Sequence, residues 1–392
     1  SGTAALLKRA TTSDEFEKLI GHPTPKGFSG FDVCGVHIKI WSDPEIPCCF
    51  KEDRYDAMRV AAQLDIPFAT WDFTQEYREA VVAYMIREYA AGRTPNPDVM
   101  CNKEIKFGVF LKRALAEGAE YVATGHYVRL ERECSIGNYQ LSNGENDVEN
   151  LDIENSLPSP CQRQGGLGKM VNYKLKIARD PNKDQSYFLW TLTHNQLTHC
   201  LFPIGEYTKP EVREMARTFR LSTAEKKDSQ GICFIGEINL REFLKCSIPV
   251  KPGVIVTTAG KTIGTHEGLA FYTFGQRRGI GVGGGIPYYV VEKDAKANTL
   301  VVSEGPFDEA LFASKVEMSE VNWIGGVAPQ LPMRVQARIR YRQPVAEATL
   351  LRLVKGGLMA VFDEPQRAVT PGQSIVMYLG EEMLGGGIII GN

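Results

Sequence analysis

Hydrophobic positions recur along the chain at two spacings, and the places where the spacing changes divide it. Tyr77, Val81, Met85 and Tyr89 return every four residues, the buried stripe of a helix that Gly92 ends. Ile105, Val109 and Phe110 mark a second helix, opening at Asn102 and closing near Gly118, and Asp53 to Leu64 forms a third. Val33–Trp41, Ile66–Trp71 and Tyr121–Thr124 are short runs that read as buried strands. Their alternation with helices predicts an α/β fold with a parallel, doubly wound sheet, whose ligands bind beyond the carboxyl ends of the strands. Gly125 stands at one such end and fits a nucleotide contact; His126 beside it reads as a satisfied structural histidine, with catalysis as the sharper alternative.

Further along, Thr208-Lys209-Pro210-Glu211 is a capping box that starts a helix running to about Phe219. From Pro249 to about Ser303 the pattern becomes strand-like and glycine-rich, and beyond it the chain reads as β throughout. Arg334, Gln336, Arg338, Arg340 and Arg342 alternate with Val335, Ala337, Ile339 and Tyr341, which predicts a strand with one apolar and one basic face, suited to phosphates. Turn signals at Val361–Gln366 and Thr370–Ser374 separate further short strands, as in a closed barrel. Glu131 to about Lys169 is acidic and polar and reads as an inserted surface loop, in which Cys134 and Cys161 have no catalytic part.

With 392 residues, 43% of them hydrophobic, the chain can build three cores. The divisions fall at residues 1–197, with the insertion at about 131–170, then 198–305, then 306–392. No run approaches a membrane span and no signal peptide is visible, so no membrane partner is expected. Nine cysteines, an odd number in no regular framework, point to a reducing compartment, the cytoplasm or alternatively an organelle matrix. A formal charge of −2 carries no global signal for nucleic acid, which leaves local basic patches to make any RNA surface.

The chemistry gathers at Thr94-Pro95-Asn96-Pro97-Asp98-Val99-Met100-Cys101-Asn102. Each proline fixes its own φ and pushes the residue before it out of the α region, so the run is a stiff bracket with Thr94 and Asn96 extended. It delivers Cys101 to the start of a helix, where unpaired N–H groups and the helix dipole favour the thiolate that a sulfur nucleophile needs. Asp98 is placed to move a proton. The bland reading is a half-buried cysteine acting as apolar filler. A second cysteine, Cys233, stands in a glycine-flanked turn after Lys226 and Lys227, whose charges favour a low thiol pKa. Two such thiols allow a relay in which a persulfide on one gives up its outer sulfur as the other attacks the inner one, leaving a disulfide. The adjacent Cys48-Cys49 lacks metal-ligand spacing, and no metal site is expected.

The bracket, Ala123-Thr124-Gly125-His126-Tyr127, Asp180-Pro181-Asn182-Lys183-Asp184-Gln185-Ser186-Tyr187, the run around Cys233 and Thr273-Phe274-Gly275-Gln276-Arg277-Arg278-Gly279 resemble, in order, the motifs of the tRNA-specific 2-thiouridylases. The resemblance spans most of the chain. It implies a PP-loop ATP pyrophosphatase domain (adenine nucleotide alpha hydrolase-like), a small central tRNA-binding domain and a C-terminal β-barrel. It further implies ATP with Mg²⁺, adenylation of the wobble uridine at C2, and replacement of its oxygen by sulfur from a cysteine persulfide supplied by a donor or relay protein.

By the same resemblance Cys233 carries the persulfide, Cys101 closes a Cys101–Cys233 disulfide, and Asp98 shuttles the proton. The backbone of Ile38 and Gly125 meets the nucleotide, and Ser1-Gly2 is the stub of the phosphate loop, the rest of which is not in this sequence. Asn96, Pro97 and Asp98 border the flipped base. Lys183, Asp184, Gln185, Arg340 and Tyr341 meet tRNA. Two rivals have other chemistry: a tRNA-binding protein that does not adenylate, and a PP-loop ligase acting on another substrate. An iron–sulfur enzyme would need three clustered cysteines, a spacing this sequence does not show.

Overall fold

The computed structural model describes residues 2–20, 28–41, 50–136, 169–226, 240–283, 285–354 and 356–391. In its first part, strand Gly35–Lys39 pairs in parallel with Phe68–Asp72 across the helix Phe50–Gln63, and Val122–Ala123 pairs in parallel with Cys200–Leu201. The parallel sheet is thus present as two pairs among the described residues. Ile40, Trp41, Phe73, Tyr77, Val81, Cys101 and Ile105 pack into one core beside the first pair.

The helix Thr74–Ala90 explains its own four-residue stripe. An α-helix turns every 3.6 residues, so positions four apart drift off a face. Here Arg78–Val82 is a π-helical segment with wider turns, and Tyr77, Val81, Met85 and Tyr89 all stay buried. Gly92, at φ +79°, ends the run as its spacing predicts. A second π segment covers Cys101–Val109 and breaks at Gly108 (φ −97°, ψ −105°). A Cβ on Gly108 would stand 2.8 Å from the Lys103 carbonyl oxygen, so only glycine lets this turn close.

Helix Lys209–Thr218 has both halves of the capping box formed at Thr208 and Glu211. The central unit is a four-stranded sheet in the order Thr262–His266, Gly253–Thr257, Thr299–Glu304, Tyr288–Asp294. Its core residues Leu244, Ile255 and Tyr272 share one cluster with Met85 and Tyr89, so the central unit is built against the helix that precedes the bracket.

Six antiparallel strands then close a barrel: Phe312–Trp323, Leu358–Arg367, Ala346–Arg352, Met333–Arg338, Ser374–Leu379 and Glu382–Gly391, the last pairing back to the first. Alternate residues fill it, with Val335, Ala337 and Ile339 fully inside.

Two expectations need correction. The insertion does not begin as a loop: Arg129–Ile136 and Lys169–Lys176 form an antiparallel ribbon that extends the barrel sheet through Glu382 and Met383. Lys174–Glu133 and Lys176–Glu131 pair across it at 2.9 and 2.6 Å. Residues 137–168, with Cys161, lie outside the described residues. Nor is the arginine row an open basic face. Arg334 forms a two-pronged pair with Asp363 at 2.8 and 2.7 Å, and the half-buried Arg338 pairs with the buried Asp184 at 3.2 Å. Arg340 points Nη2 at Phe274 O, Ala368 O and Thr370 Oγ1, at 3.1, 2.8 and 3.1 Å. The strand also ends at Arg338, with Arg340 and Arg342 in the turn that follows, and alternation could not reveal that the rest of the fold supplies partners to three of these arginines.

Candidate functional site

The bracket begins with Asn96 extended (φ −111°, ψ 94°), as a residue before proline must be. Its side-chain oxygen accepts from Val99 N at 3.3 Å, and Met100 N donates to the Asn96 carbonyl at 3.3 Å. Asn96 is therefore the N-cap and Pro97 the first helical residue, a position where a missing N–H costs nothing. This corrects the placement of Cys101: the helix starts four residues before it. Cys101 N donates to Pro97 O and Asp98 O within the helix, so the thiol lies a full turn beyond the helix end. Its side chain is 1% exposed, in the core with Ile105, Tyr77 and Trp41.

Asp98, at the second helical position, does reach a cavity. A cleft of about 970 Å³ opens beside Gly125, past the carboxyl end of strand Val122–Ala123, and runs along the amino ends of the first parallel pair at Gly35, Val36 and Phe68, with Asp98, Lys106, His126, Lys183 and Gln185 also in its wall. That volume lies in the range of sites for cofactors and drug-sized ligands. Tyr341 lines it as well, packed on Phe188 with ring centroids 4.4 Å apart, and so does the exposed Arg342. On the far side Lys226 binds both Asp53 and Asp56, at 2.6 and 2.7 Å. Asn96 faces elsewhere, into a separate pocket of 210 Å³ that Tyr84, Trp190 and Glu320 line. Asn96 and Asp98, two residues apart in the first turn of the helix, thus line different cavities.

His126 is buried, with Nδ1 2.8 Å from Thr124 Oγ1. Burial first, and then the charge of Lys106, hold its pKa well below the ordinary value, which leaves it neutral at physiological pH. The structural reading of this histidine stands beside a place in the cleft wall. Gly125 follows strand Val122–Ala123 and faces helix Gly2–Arg9, whose Thr3 Oγ1 donates to Thr124 O at 3.4 Å. Gly2 is the first residue of that helix and is buried, and Ser1 lies outside the described residues. Ile38 sits in strand Gly35–Lys39, whose Gly35 and Val36 line the cleft.

In the Lys183-Asp184-Gln185 motif the three residues have three fates. Lys183 lines the cleft. Gln185 is locked to Tyr127, its Oε1 accepting from Tyr127 N at 3.0 Å and its N–H donating to Tyr127 O at 2.8 Å. Asp184 is 4% exposed and accepts from Ala178 N, Ser186 N and Ser186 Oγ besides pairing with Arg338, so it cannot face RNA. The same applies to the Nη2 edge of Arg340. Cys233 and residues 227–239 around it lie outside the described residues.

Residues 27–237, more than half of the chain, match the family described as the tRNA methyl transferase HUP domain. Residues 241–304 match the tRNA methyl transferase PRC-barrel domain, and 313–389 the aminomethyltransferase beta-barrel domain. The tRNA-specific 2-thiouridylase MnmA 2 of Geobacillus kaustophilus is 44% identical over 363 residues, covering 92% of this chain and 88% of that protein. The MnmA protein of Streptococcus sanguinis is 43% identical over 368 residues, covering 92% and 89%. The chain belongs to the tRNA-specific 2-thiouridylase family. Its HUP, PRC-barrel and β-barrel matches follow the order of the parallel pairs, the four-stranded sheet and the closed barrel.

Sequence reasoning about this 2-thiouridylase chain missed Lys106 and Tyr127 in the cleft wall, and it missed what holds the bracket. Gln373 Nε2 donates to Thr94 O and Pro95 O at 2.8 and 3.0 Å. Thr370–Gln373 had the look of a turn between strands and nothing more. Among the described residues no group of three His, Cys, Asp or Glu is arranged to hold a metal ion, and no helix is long and apolar enough to cross a membrane.

Proposed function

We propose that this chain is an ATP-dependent tRNA-uridine 2-sulfurtransferase. One observation carries the reading: the bracket puts Asp98 into the wall of a lysine-bearing cleft and Cys101 one helical turn behind it. The relatives named above are thiouridylases, which agrees with a sulfur chemistry at that cysteine.

In this reading Lys106 and Lys183 attract phosphate, and the cleft beside Gly125 and the strand of Ile38 takes the nucleotide. Mg²⁺ accompanies ATP as a phosphate-bound ion. Adenylation makes the uridine C2 oxygen a leaving group. The outer sulfur of a Cys233 persulfide attacks C2 and AMP departs, leaving the base joined to Cys233 through a disulfide. Cys101 thiolate then attacks Cys233 Sγ, the sulfur–sulfur bond to the base breaks, and 2-thiouridine leaves with a Cys101–Cys233 disulfide behind it. Asp98 moves the proton that this transfer displaces. A persulfide donor and a dithiol reductant reset the pair. Cys101 is buried beside Ile105, Tyr77 and Trp41, so its thiol has to become accessible to Cys233 before the last step.

The experiment is to incubate the chain with unmodified tRNA, ATP, Mg²⁺ and a persulfide donor and to measure 2-thiouridine in the digested RNA. ATP-dependent 2-thiouridine at the wobble position is expected. Binding of tRNA and ATP with no thiolated product would overturn the assignment in favour of an RNA-binding protein without chemistry.

A further inference from the structure

A segment with two prolines has little means of holding itself. Pro95 and Pro97 have no N–H to donate, so the bracket's entry depends on its carbonyls and on Thr94 N to find partners elsewhere. Those donors come from the far end of the chain. The Gln373 amide nitrogen bridges the Thr94 and Pro95 carbonyl oxygens, and Thr94 N in turn donates to Pro371 O at 2.9 Å. Gly372 lies flat against the same residue: at φ +91°, a Cβ there would come within 2.9–3.0 Å of the Thr94 backbone. The turn is itself anchored on the strand that closes the barrel, with Gly372 N donating to Ile389 O and Ile389 N to Gln373 O, both at 2.8 Å. The central unit touches the same point, where Thr94 Oγ1 and Thr273 Oγ1 are 3.4 Å apart.

We propose that the barrel turn 370–373 is the positioning element of the bracket, with Gln373 as its positioning residue, so that the C-terminal barrel is a working part of the catalytic centre. The proposal rests on the assignment of Asp98 and Cys101 to the chemistry. Its reach extends to the cleft: Arg340 binds Thr370 Oγ1, and the next residue, Tyr341, packs on Phe188 in the cleft wall with the rings tilted at 50°. RNA seated against Tyr341 therefore lies two residues and one guanidinium from the turn that sets the bracket. Small displacements of reacting groups cost rate out of proportion to their size, which makes the grip on Thr94 and Pro95 a rate-determining feature.

The test compares wild type with Gln373→Met, which keeps the length but has no donor. Amide exchange of the peptide 94–102 should speed up about tenfold, with the peptide 83–90 unchanged, and kcat for thiolation should fall about 10- to 100-fold with KM for tRNA within about twofold. Gln373→Lys, which restores an N–H donor of similar reach, should recover most of kcat, and Gly372→Ala should reproduce the loss. Unchanged exchange across 94–102 in Gln373→Met would overturn the proposal. So would a barrel-core variant, Val316→Ala, that matched its kcat loss at equal thermal stability. If wild type itself made no 2-thiouridine, the functional assignment would fail, while the exchange result would still decide what holds the bracket.

Discussion

The bracket and the arginine row are the two stretches whose residue types point most directly at chemistry, and the fold treats them in opposite ways. The bracket, poor in donors, is held by groups from the barrel and turns Asn96 and Asp98 to two different cavities while Val99 and Cys101 enter the core. The arginines, rich in donors, are engaged by the fold itself: Arg334 by Asp363, Arg338 by Asp184, Arg340 by two carbonyls and a hydroxyl. A side chain is available to a substrate only after the structure's own polar groups have been satisfied. A row of like charges on a strand is thus weak evidence of a binding face until its partners are known.

The largest expected effect on stability separates half-buried from exposed members of that row. Arg338→Met leaves Asp184 buried without its cation and should destabilise the fold by about 3 kcal/mol, whereas Arg334→Met removes a solvent-exposed pair and should cost far less. Urea denaturation of the two variants measures this, and equal losses would remove the distinction.

Next in size is Lys293, whose Nζ donates to Tyr272 O at 2.6 Å and whose pKa burial lowers to about 8. The folded state binds this proton less tightly than the unfolded one, so the charged lysine burdens the fold below about pH 8, and the burden fades as pH rises towards the ordinary lysine value of 10.5. Lys293→Met should therefore stabilise by about 2 kcal/mol at pH 7, after the lost hydrogen bond is counted, and the gain should vanish near pH 10.5. A gain that stayed constant with pH would show that the charge is not the cause.

The smallest effect concerns arginines that stay exposed, Arg342 at the end of the row and Arg277 and Arg278 of the Thr273–Gly279 motif. Neutralising Arg277, Arg278 and Arg342 together should flatten the salt dependence of tRNA binding by about 2 in slope, with Arg334→Gln leaving it unchanged. A filter-binding series across salt concentrations checks both.

Local signals were legible in the sequence where a residue and its partner are close along the chain. The Tyr77–Tyr89 stripe, the Thr208 capping box and Gly92 all depend on neighbours a turn or less away. The helix start was also within reach, since Asn followed by Pro is the N-cap and first-position pattern, and reading it would have moved the helix from Asn102 back to Pro97. Opposite charges on Glu131, Glu133, Lys174 and Lys176 could have suggested the ribbon. Gln373 could not be read this way, because its partners lie 279 and 278 residues before it and are backbone carbonyls, which leave no trace in side-chain pattern. Asp184 failed for a related reason: a carboxylate in a motif looks the same whether it faces RNA or Arg338.

The central claim is that the bracket serves sulfur transfer through Cys101. The most direct test loads radiolabelled sulfur on Cys233, adds tRNA, ATP and Mg²⁺ under single-turnover conditions, and follows the label in wild type and Cys101→Ser. Wild type should move the label to 2-thiouridine, and Cys101→Ser should take up the label yet keep it on the protein, with tRNA affinity little changed. Full 2-thiouridine from Cys101→Ser would contradict the account and return Cys101 to the part its burial alone suggests, a small apolar residue in the core.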